Sequence, residues 1–275
     1  MKRVFILYNR FYDINSKKIT VGGIQTYIQN LCEILVDNNM EPLVYQFASE
    51  DFEVNVNGTI IRGVNVEDLN SFKKKKKALF NSAMEKFDVS CDIMLFATES
   101  LIVPVKGVRT ICIQHGVGWD KPMVQRSKAI NFLRTLYDHL RQYQRLYQMS
   151  KVNTVVCVDY NFVNWYRAAF PDLKINYKVI LNFSKIASSE KKQMDKVSII
   201  FARRFFEYRG TRLFATVIKR VLEKYKDIKV TIAGEGPDEE YLKNMLEYDT
   251  RVRFIRYESE NSLEIHSEHD IFIFF

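Results

Sequence analysis

Val197-Ser198-Ile199-Ile200-Phe201-Ala202-Arg203-Arg204-Phe205-Phe206-Glu207-Tyr208-Arg209-Gly210 is the stretch on which the fold turns. Its first six residues are almost continuously apolar, the pattern of a strand buried on both faces of a parallel sheet. Two arginines end the run. Arg209 and Gly210 then lead into residues 211–225, which have helical periodicity. Strand, loop and helix make the opening unit of a doubly wound α/β domain, in which strand ends and helix starts share one edge.

The alternation continues downstream. Residues 228–233 read as a strand, 237–246 as a helix with Pro237 in its first turn, 252–255 as a strand, 260–267 as a short helix and 270–275 (DIFIFF) as a last strand. It also exists upstream. Residues 4–8 (VFILY), 42–48 (PLVYQFA), 91–97 (CDIMLFA), 109–113 (RTICI), 153–158 and 178–181 read as strands. Ile24, Tyr27, Ile28, Leu31, Ile34 and Leu35 fall on one helical stripe over 24–36. Residues 67–87 and 126–148 read as helices, and a further helix ends at Phe170-Pro171. Asn57-Gly58 predicts a hairpin over 53–64, because both residues tolerate the positive φ of a tight turn. Residues 184–196 are polar and serve as a linker. The expected fold is α/β, with two Rossmann-like doubly wound parallel-sheet domains, 1–183 and 197–275. The second has about four strands, so the reading expects the sequence to stop inside an incomplete domain.

Composition agrees with a globular protein. The 275 residues are 47% apolar and 13% aromatic, with a formal charge of +8. That excludes disordered, collagenous and disulfide-scaffold classes. Cys32, Cys91, Cys112 and Cys157 form no CxxC pair, which favours buried reduced thiols over disulfides or zinc. The apolar run after Met1-Lys2-Arg3 is too short for a signal peptide, and no run has the length of a membrane span. The expectation is a cytoplasmic protein. The positive charge suits an anionic partner without choosing among phosphate, nucleotide, nucleic acid and anionic lipid.

Five features carry chemistry. Gly22-Gly23 opens the first helix, where free N–H groups meet anions and glycine allows close approach; equally, it reads as a flexible cap. Arg203 and Arg209 read as a diphosphate grip or as a solvated loop pairing with Glu207. Gly234-Glu235-Gly236-Pro237 makes a tight turn with exposed amides at the same edge. His115 ends a strand beside Gly116, placed for a substrate hydroxyl, although a satisfied structural histidine is the commoner case. Residues 126–151 combine arginines with Phe132, Leu133, Leu136 and Leu140, suiting either an anionic lipid surface or a core-facing helix with a basic outer side. The Lys73 to Lys77 run has the same two readings. There is no GxSxG elbow and no P-loop, and His266 with His269 lacks further metal ligands nearby.

In this order, the pieces resemble the retaining GT-B glycosyltransferases of family 4. Gly22 to Tyr27 is similar to the family's GGxxxY/F loop and helix. Cys157-Val158-Asp159 with Val179 to Phe183 resembles its hinge-side pattern, Asp159 standing where Ser is common. Ser198 to Gly210 is similar to GRxxxxKG, with Ala202 for Gly and Arg209 for Lys. Gly234 to Pro237 matches GxGP. Val252 to Tyr257 and His269 to Phe272 resemble two further family strands, with Arg256 at a usual Gly.

The resemblance implies two domains facing a cleft, with the nucleotide-sugar donor on the second and the acceptor mainly on the first. Arg203 and Arg209 would stabilise the leaving diphosphate without a metal. Gly23 would approach the donor phosphate or sugar, His115 would orient a sugar hydroxyl, and the backbone near Tyr257 would read the base. Gly22, Gly234 and Gly236 would complete the donor site. The family's glutamate pair and terminal helix lie beyond Phe275. The expected activity is retaining transfer of a hexose-type sugar to a glycan or lipid-linked glycan in cell-surface polysaccharide synthesis, peripheral at the membrane's inner face. No cofactor beyond the nucleotide-sugar co-substrate and no nucleic-acid partner are expected. The alternatives are an inactive remnant, a nucleotide-sugar or glycan-binding module, and a basic membrane-surface interaction protein.

Overall fold

In a computed structural model, the apolar run at 4–8 is the buried part of β1 (Lys2–Tyr8). The structure describes residues 2–20, 22–116, 128–182, 196–256 and 262–274. The chain forms two compact units, Met1–Phe183 and Ser184–Phe275. Most of the expected linker lies outside the described residues.

After β1, unit 1 continues through the short strands β2 (Tyr12–Asp13) and β3 (Lys18–Ile19) to α1 (Gly23–Asp37) and β4 (Met40–Ala48). The hairpin β5 (Phe52–Val56) and β6 (Thr59–Asn65) precedes α2 (Phe72–Met84). There follow β7 (Ile93–Phe96), β8 (Thr110–Gln114), α3 (Lys128–Met149), β9 (Thr154–Cys157), α4 (Tyr160–Ala169) and β10 (Tyr177–Val179). Eight strands make one sheet in the order β10-β9-β8-β7-β1-β4-β6-β5. Within it β5 pairs antiparallel to β6, while β1 pairs parallel to both β4 and β7. The chain leaves β1 toward β4 and later returns to β7 on β1's other side. The strand order therefore reverses between β1 and β7.

Alternate residues of β1 feed opposite cores. Phe5 and Leu7 pack with Tyr45, Met94 and Phe96 under Leu79 and Phe80 of α2 and Phe162 and Tyr166 of α4. Val4, Ile6 and Tyr8 pack with Val44, Ile61 and Leu95 under Ile28, Cys32 and Leu35 of α1. Burial on both faces explains the unbroken apolar run. Asn57 and Gly58 have φ of 50° and 81°, as the Asn-Gly pair requires.

Unit 2 repeats the scheme with β11 (Val197–Ala202), α5 (Thr211–Lys224), β12 (Ile228–Ala233), α6 (Glu239–Leu246), β13 (Val252–Ile255), α7 (Ser262–Ser267) and β14 (Ile271–Phe272). Its sheet order is β13-β12-β11-β14, with every pair parallel. Here the order reverses between β11 and β14. The core under α5 and α6 centres on Phe201 stacked on Phe214, with ring centroids 4.2 Å apart.

Several expectations change. The helix expected at 67–87 shortens to α2, because Ser71 caps it by accepting the Lys74 N–H at 3.3 Å. The helix expected from Pro237 begins at Glu239, because Gly236 and Pro237 are spent in the turn and Asp238 takes the cap position. The last strand spans two residues rather than six. The polar loop before Gly22 contains the β2–β3 pair. The core-facing reading of α3 fails. Only Leu146 and Met149 of its apolar residues are buried, while Phe132, Leu133, Leu136 and Leu140 stay exposed.

Candidate functional site

In unit 1, His115 follows β8 at the carboxyl edge of the sheet. Its Nε2 lies 3.0 Å from the Ala97 carbonyl, which follows β7. A carbonyl only accepts, so Nε2 carries the proton and Nδ1 of the neutral ring is an acceptor. Burial pushes the imidazole pKa down, against the opposing pull of the Ala97 carbonyl, so the neutral form is favoured. Tyr27 of α1 meets the ring edge-on, with centroids 5.2 Å apart. This contact joins His115 to the helix that begins at Gly23. Gly116 has φ of 96° and is held by Gln114, whose Oε1 accepts its N–H at 3.0 Å and whose Nε2 donates to its carbonyl.

The start of α1 is open. Gly22 occupies the cap position and no side chain caps the helix; its first turn holds no acidic residue. A Cβ on Gly23 would meet nothing within 4 Å. The N–H groups of this first turn and the β1/β7 reversal lie at one edge, the place where open α/β sheets bind ligands.

In unit 2, Arg203 directly follows β11. Its guanidinium lies 4.7 Å from the ring centroid of Phe274, just past β14. Arg203 therefore stands at the β11/β14 reversal. Arg209 lies on the same loop, over the Tyr208 ring at 5.6 Å, immediately before Gly210 at the cap of α5. Gly210 has φ of 80°, and no side chain caps α5. Both arginines and an uncapped helix start thus belong to one loop at the carboxyl edge.

Gly234 and Gly236 have a different role from the one their spacing suggests. The Gly234 N–H donates to the Ile255 carbonyl at 3.0 Å, so it is not offered to a ligand. A Cβ on Gly234 would land on the Arg203 carbonyl oxygen, and one on Gly236 would lie 2.5 Å from the Phe205 carbonyl oxygen. The Arg203 N–H donates to Ala233 at 3.0 Å and the Phe205 N–H to Glu235 at 2.9 Å. The glycines let the arginine loop lie flat on its neighbour. Tyr257 lies outside the described residues.

A cavity of about 470 Å³ in unit 2 lies at the opposite, amino end of the strands, lined by Ser198, Thr231, Arg253 and His269 among others. Its polar groups are engaged with each other. His269 reaches the Ile265 carbonyl at 2.6 Å and Thr231 Oγ1 at 2.7 Å, and Arg253 Nε donates to the same hydroxyl at 2.9 Å.

Sequence reasoning missed two positioning residues. Gln46 is buried in β4; its Oε1 accepts the N–H groups of Phe11 and Tyr12 at 2.8 and 2.7 Å, and its Nε2 donates to the Tyr12 carbonyl at 2.7 Å. It fixes the loop that leads to Gly22. One amide in an otherwise apolar strand was the available signal. Arg212 pairs with Glu207 at 3.5 Å and with buried Asp238 at 3.3 Å, bracing the arginine loop against α6. No spacing in the sequence signals that contact.

Residues 182–275 match the family described as Glycosyl transferases group 1. No curated protein matches the chain. Among solved structures, *Staphylococcus*-type "S. aureus TarM" in complex with fondaparinux, alpha-GlcNAc-glycerol and UDP has TM-score 0.68 at 12% identity, covering 98% of this chain and 80% of that one. Sucrose-phosphate synthase from Thermosynechococcus elongatus has TM-score 0.65 at 10% identity, covering 98% and 75%. The catalytic domain of starch synthase IV from Arabidopsis thaliana, bound to ADP and acarbose, has TM-score 0.61 at 12% identity, covering 99% and 77%. At such identities the likeness defines the fold, which is that of the GT-B glycosyltransferases. All of unit 2 falls within the family match.

Proposed function

We propose that the chain transfers a hexose-type sugar, with retention, from a nucleoside diphosphate sugar to a glycan or lipid-linked glycan in cell-surface polysaccharide synthesis. The observation that carries this reading is Arg203 at the strand-order reversal of a sheet that lies within the glycosyl transferases group 1 match. The solved structures of TarM with UDP and of starch synthase IV with ADP support a nucleoside diphosphate as the ligand class.

In this reading Arg203 and Arg209 meet the negative charge that develops on the departing diphosphate, and the free N–H groups of α5 add to it. These groups do the work of a metal ion, so EDTA leaves activity unchanged. Gly23 allows the backbone to approach the donor's phosphate or sugar. His115, with Nε2 tied to Ala97, offers Nδ1 to a sugar hydroxyl proton and holds that hydroxyl in place. The backbone near Tyr257 reads the base. Retention follows from front-face attack, the leaving phosphate taking the acceptor's proton.

Calorimetric titration with UDP, GDP, ADP and their sugars tests the proposal. At least one binds, and Arg203→Ala weakens it roughly tenfold to a hundredfold, the worth of a charge-assisted hydrogen bond at about 1.5–3 kcal/mol. No binding by any of these ligands would remove the donor site. Binding without turnover would leave a nucleotide-sugar-binding module.

A further inference from the structure

A helix on a globular surface ordinarily turns its apolar stripe inward. In α3 the arrangement is reversed. Leu146 and Met149, 2% and 1% exposed, anchor its last turn in the unit 1 core. Leu133, Leu136, Leu140, Tyr143 and Tyr147 recur at intervals of three and four residues, so they share one stripe, and all are 47–64% exposed. At 100° per residue, the stripe is centred well over a quarter-turn away from the side that carries Leu146 and Met149. Phe132, 70% exposed, borders it. A contiguous apolar surface of this kind marks a site of interaction.

The charges around the stripe select the partner. Residues 128–149 contain one acidic residue, Asp138, against Arg134, Arg141 and Arg145. The ion pairs of these arginines are long: Arg134 to Asp138 and Arg145 to Glu99, each at 3.9 Å. Tyr137, Tyr143 and Tyr147 add rings with polar tips, which suit a boundary between water and hydrocarbon. The basic run of α2 is nearby. Lys76 donates to the carbonyls of Ser100 and Ile102 at 3.4 and 2.8 Å, in the same turn that receives Arg145, and Lys73, Lys74 and Lys77 remain exposed. A second copy of the chain would oppose arginines to arginines. An anionic surface with an apolar interior satisfies both the stripe and its charges.

We propose that the outward face of α3 docks on an anionic phospholipid bilayer, with the stripe in the headgroup boundary and the arginines and α2 lysines on lipid phosphates.

Flotation with vesicles tests this, and it needs neither nucleotide nor sugar, so it succeeds or fails apart from the proposed transfer. The chain should float with vesicles of equimolar phosphatidylcholine and phosphatidylglycerol, remain behind with phosphatidylcholine alone, and be released by salt. The double variant Leu136→Asp, Leu140→Asp should lose binding at least tenfold. Arg134→Gln with Arg141→Gln should weaken binding and blunt its salt dependence. On the unaltered chain, hydrogen exchange of α3 amides should slow when anionic vesicles are added, a readout that does not depend on the variants folding. Failure of the unaltered chain to float, equal binding to neutral vesicles, or unchanged binding by the leucine variant would overturn the proposal. So would a concentration-dependent dimer in analytical ultracentrifugation that the leucine variant abolishes, which would assign the stripe to a second copy.

Discussion

The carboxyl edges of the two units use glycine in opposite ways. At Gly23 a side chain would enter open space beside an uncapped helix start. At Gly234 and Gly236 it would collide with the backbone of the arginine loop, and both residues have positive φ, 144° and 153°. The first glycine keeps a surface free for something else to approach. The other two bring one segment of the chain against another. All three follow a strand and precede a helix, so position in the sequence does not separate the roles; the neighbour does. Gly236→Ala should cost roughly 4 kcal/mol, combining backbone strain with overpacking. Gly23→Ala should leave stability within about 0.5 kcal/mol of the parent and change only ligand binding or turnover. Denaturant unfolding of both variants decides this. A Gly236→Ala variant as stable as the parent would break the contrast.

The amino ends of the units are a second comparison. In each, the first strand is tied to an aspartate just before the strand across the order reversal. Asp92, preceding β7, is fully buried and takes Arg3 Nε at 3.2 Å, Nη2 at 2.6 Å and the Asp88 N–H at 2.7 Å. Asp270, preceding β14, is more exposed and accepts the Ser198 N–H at 3.0 Å and its hydroxyl at 2.9 Å. One joint is an ion pair with a buried carboxylate; the other bonds a carboxylate to neutral groups near water. Asp92→Ala should therefore cost about 3 kcal/mol, the lower end for a broken buried pair because Arg3 keeps a solvated side. Asp270→Ala should cost about 1–2 kcal/mol.

Acid sharpens the same difference. Burial alone would raise the Asp92 carboxyl, but the Arg3 guanidinium and the Asp88 N–H hold it below its ordinary value. Its contribution is complete above the pKa of an unfolded aspartate, about 3.9, and is lost as pH falls through the lower folded value. Unfolding midpoints between about pH 5 and 2 should fall less steeply in Asp92→Asn than in the parent. Parallel slopes would show that this pair does not set the acid limit of unit 1.

What the sequence reveals follows the range of the interaction. β1, β4, β11 and β12 are readable because burial on both faces leaves continuous apolar runs. The β5–β6 turn is readable because Asn57 and Gly58 encode it locally. The β2–β3 pair is not, because its anchor is Gln46, more than 30 residues away. The packing role of Gly236 depends on Phe205, on another loop. The outward stripe of α3 has the same periodicity as an inward one, and only the position of Leu146 and Met149 in the core shows which way it faces. Of the candidate site, the positions of Arg203 and His115 at strand ends were legible. The His115 tautomer was not, since it depends on the Ala97 carbonyl.

The smallest effect concerns Asp159, which stands where the resemblance leads one to expect serine. Asp159 caps α4, its Oδ1 accepting the Phe162 N–H at 3.2 Å from an extended backbone. Serine offers an oxygen with the same reach, and the two are near-equal caps. The difference from the family pattern is thus conservative in its local physics. Asp159→Ser should shift stability by only a few tenths of a kcal/mol, while Asp159→Ala should lose about 1 kcal/mol. Thermal unfolding of the two variants measures the gap. If serine cost as much as alanine, the carboxylate would be acting through its charge on the helix start, and the capping account would have to give way to an electrostatic one.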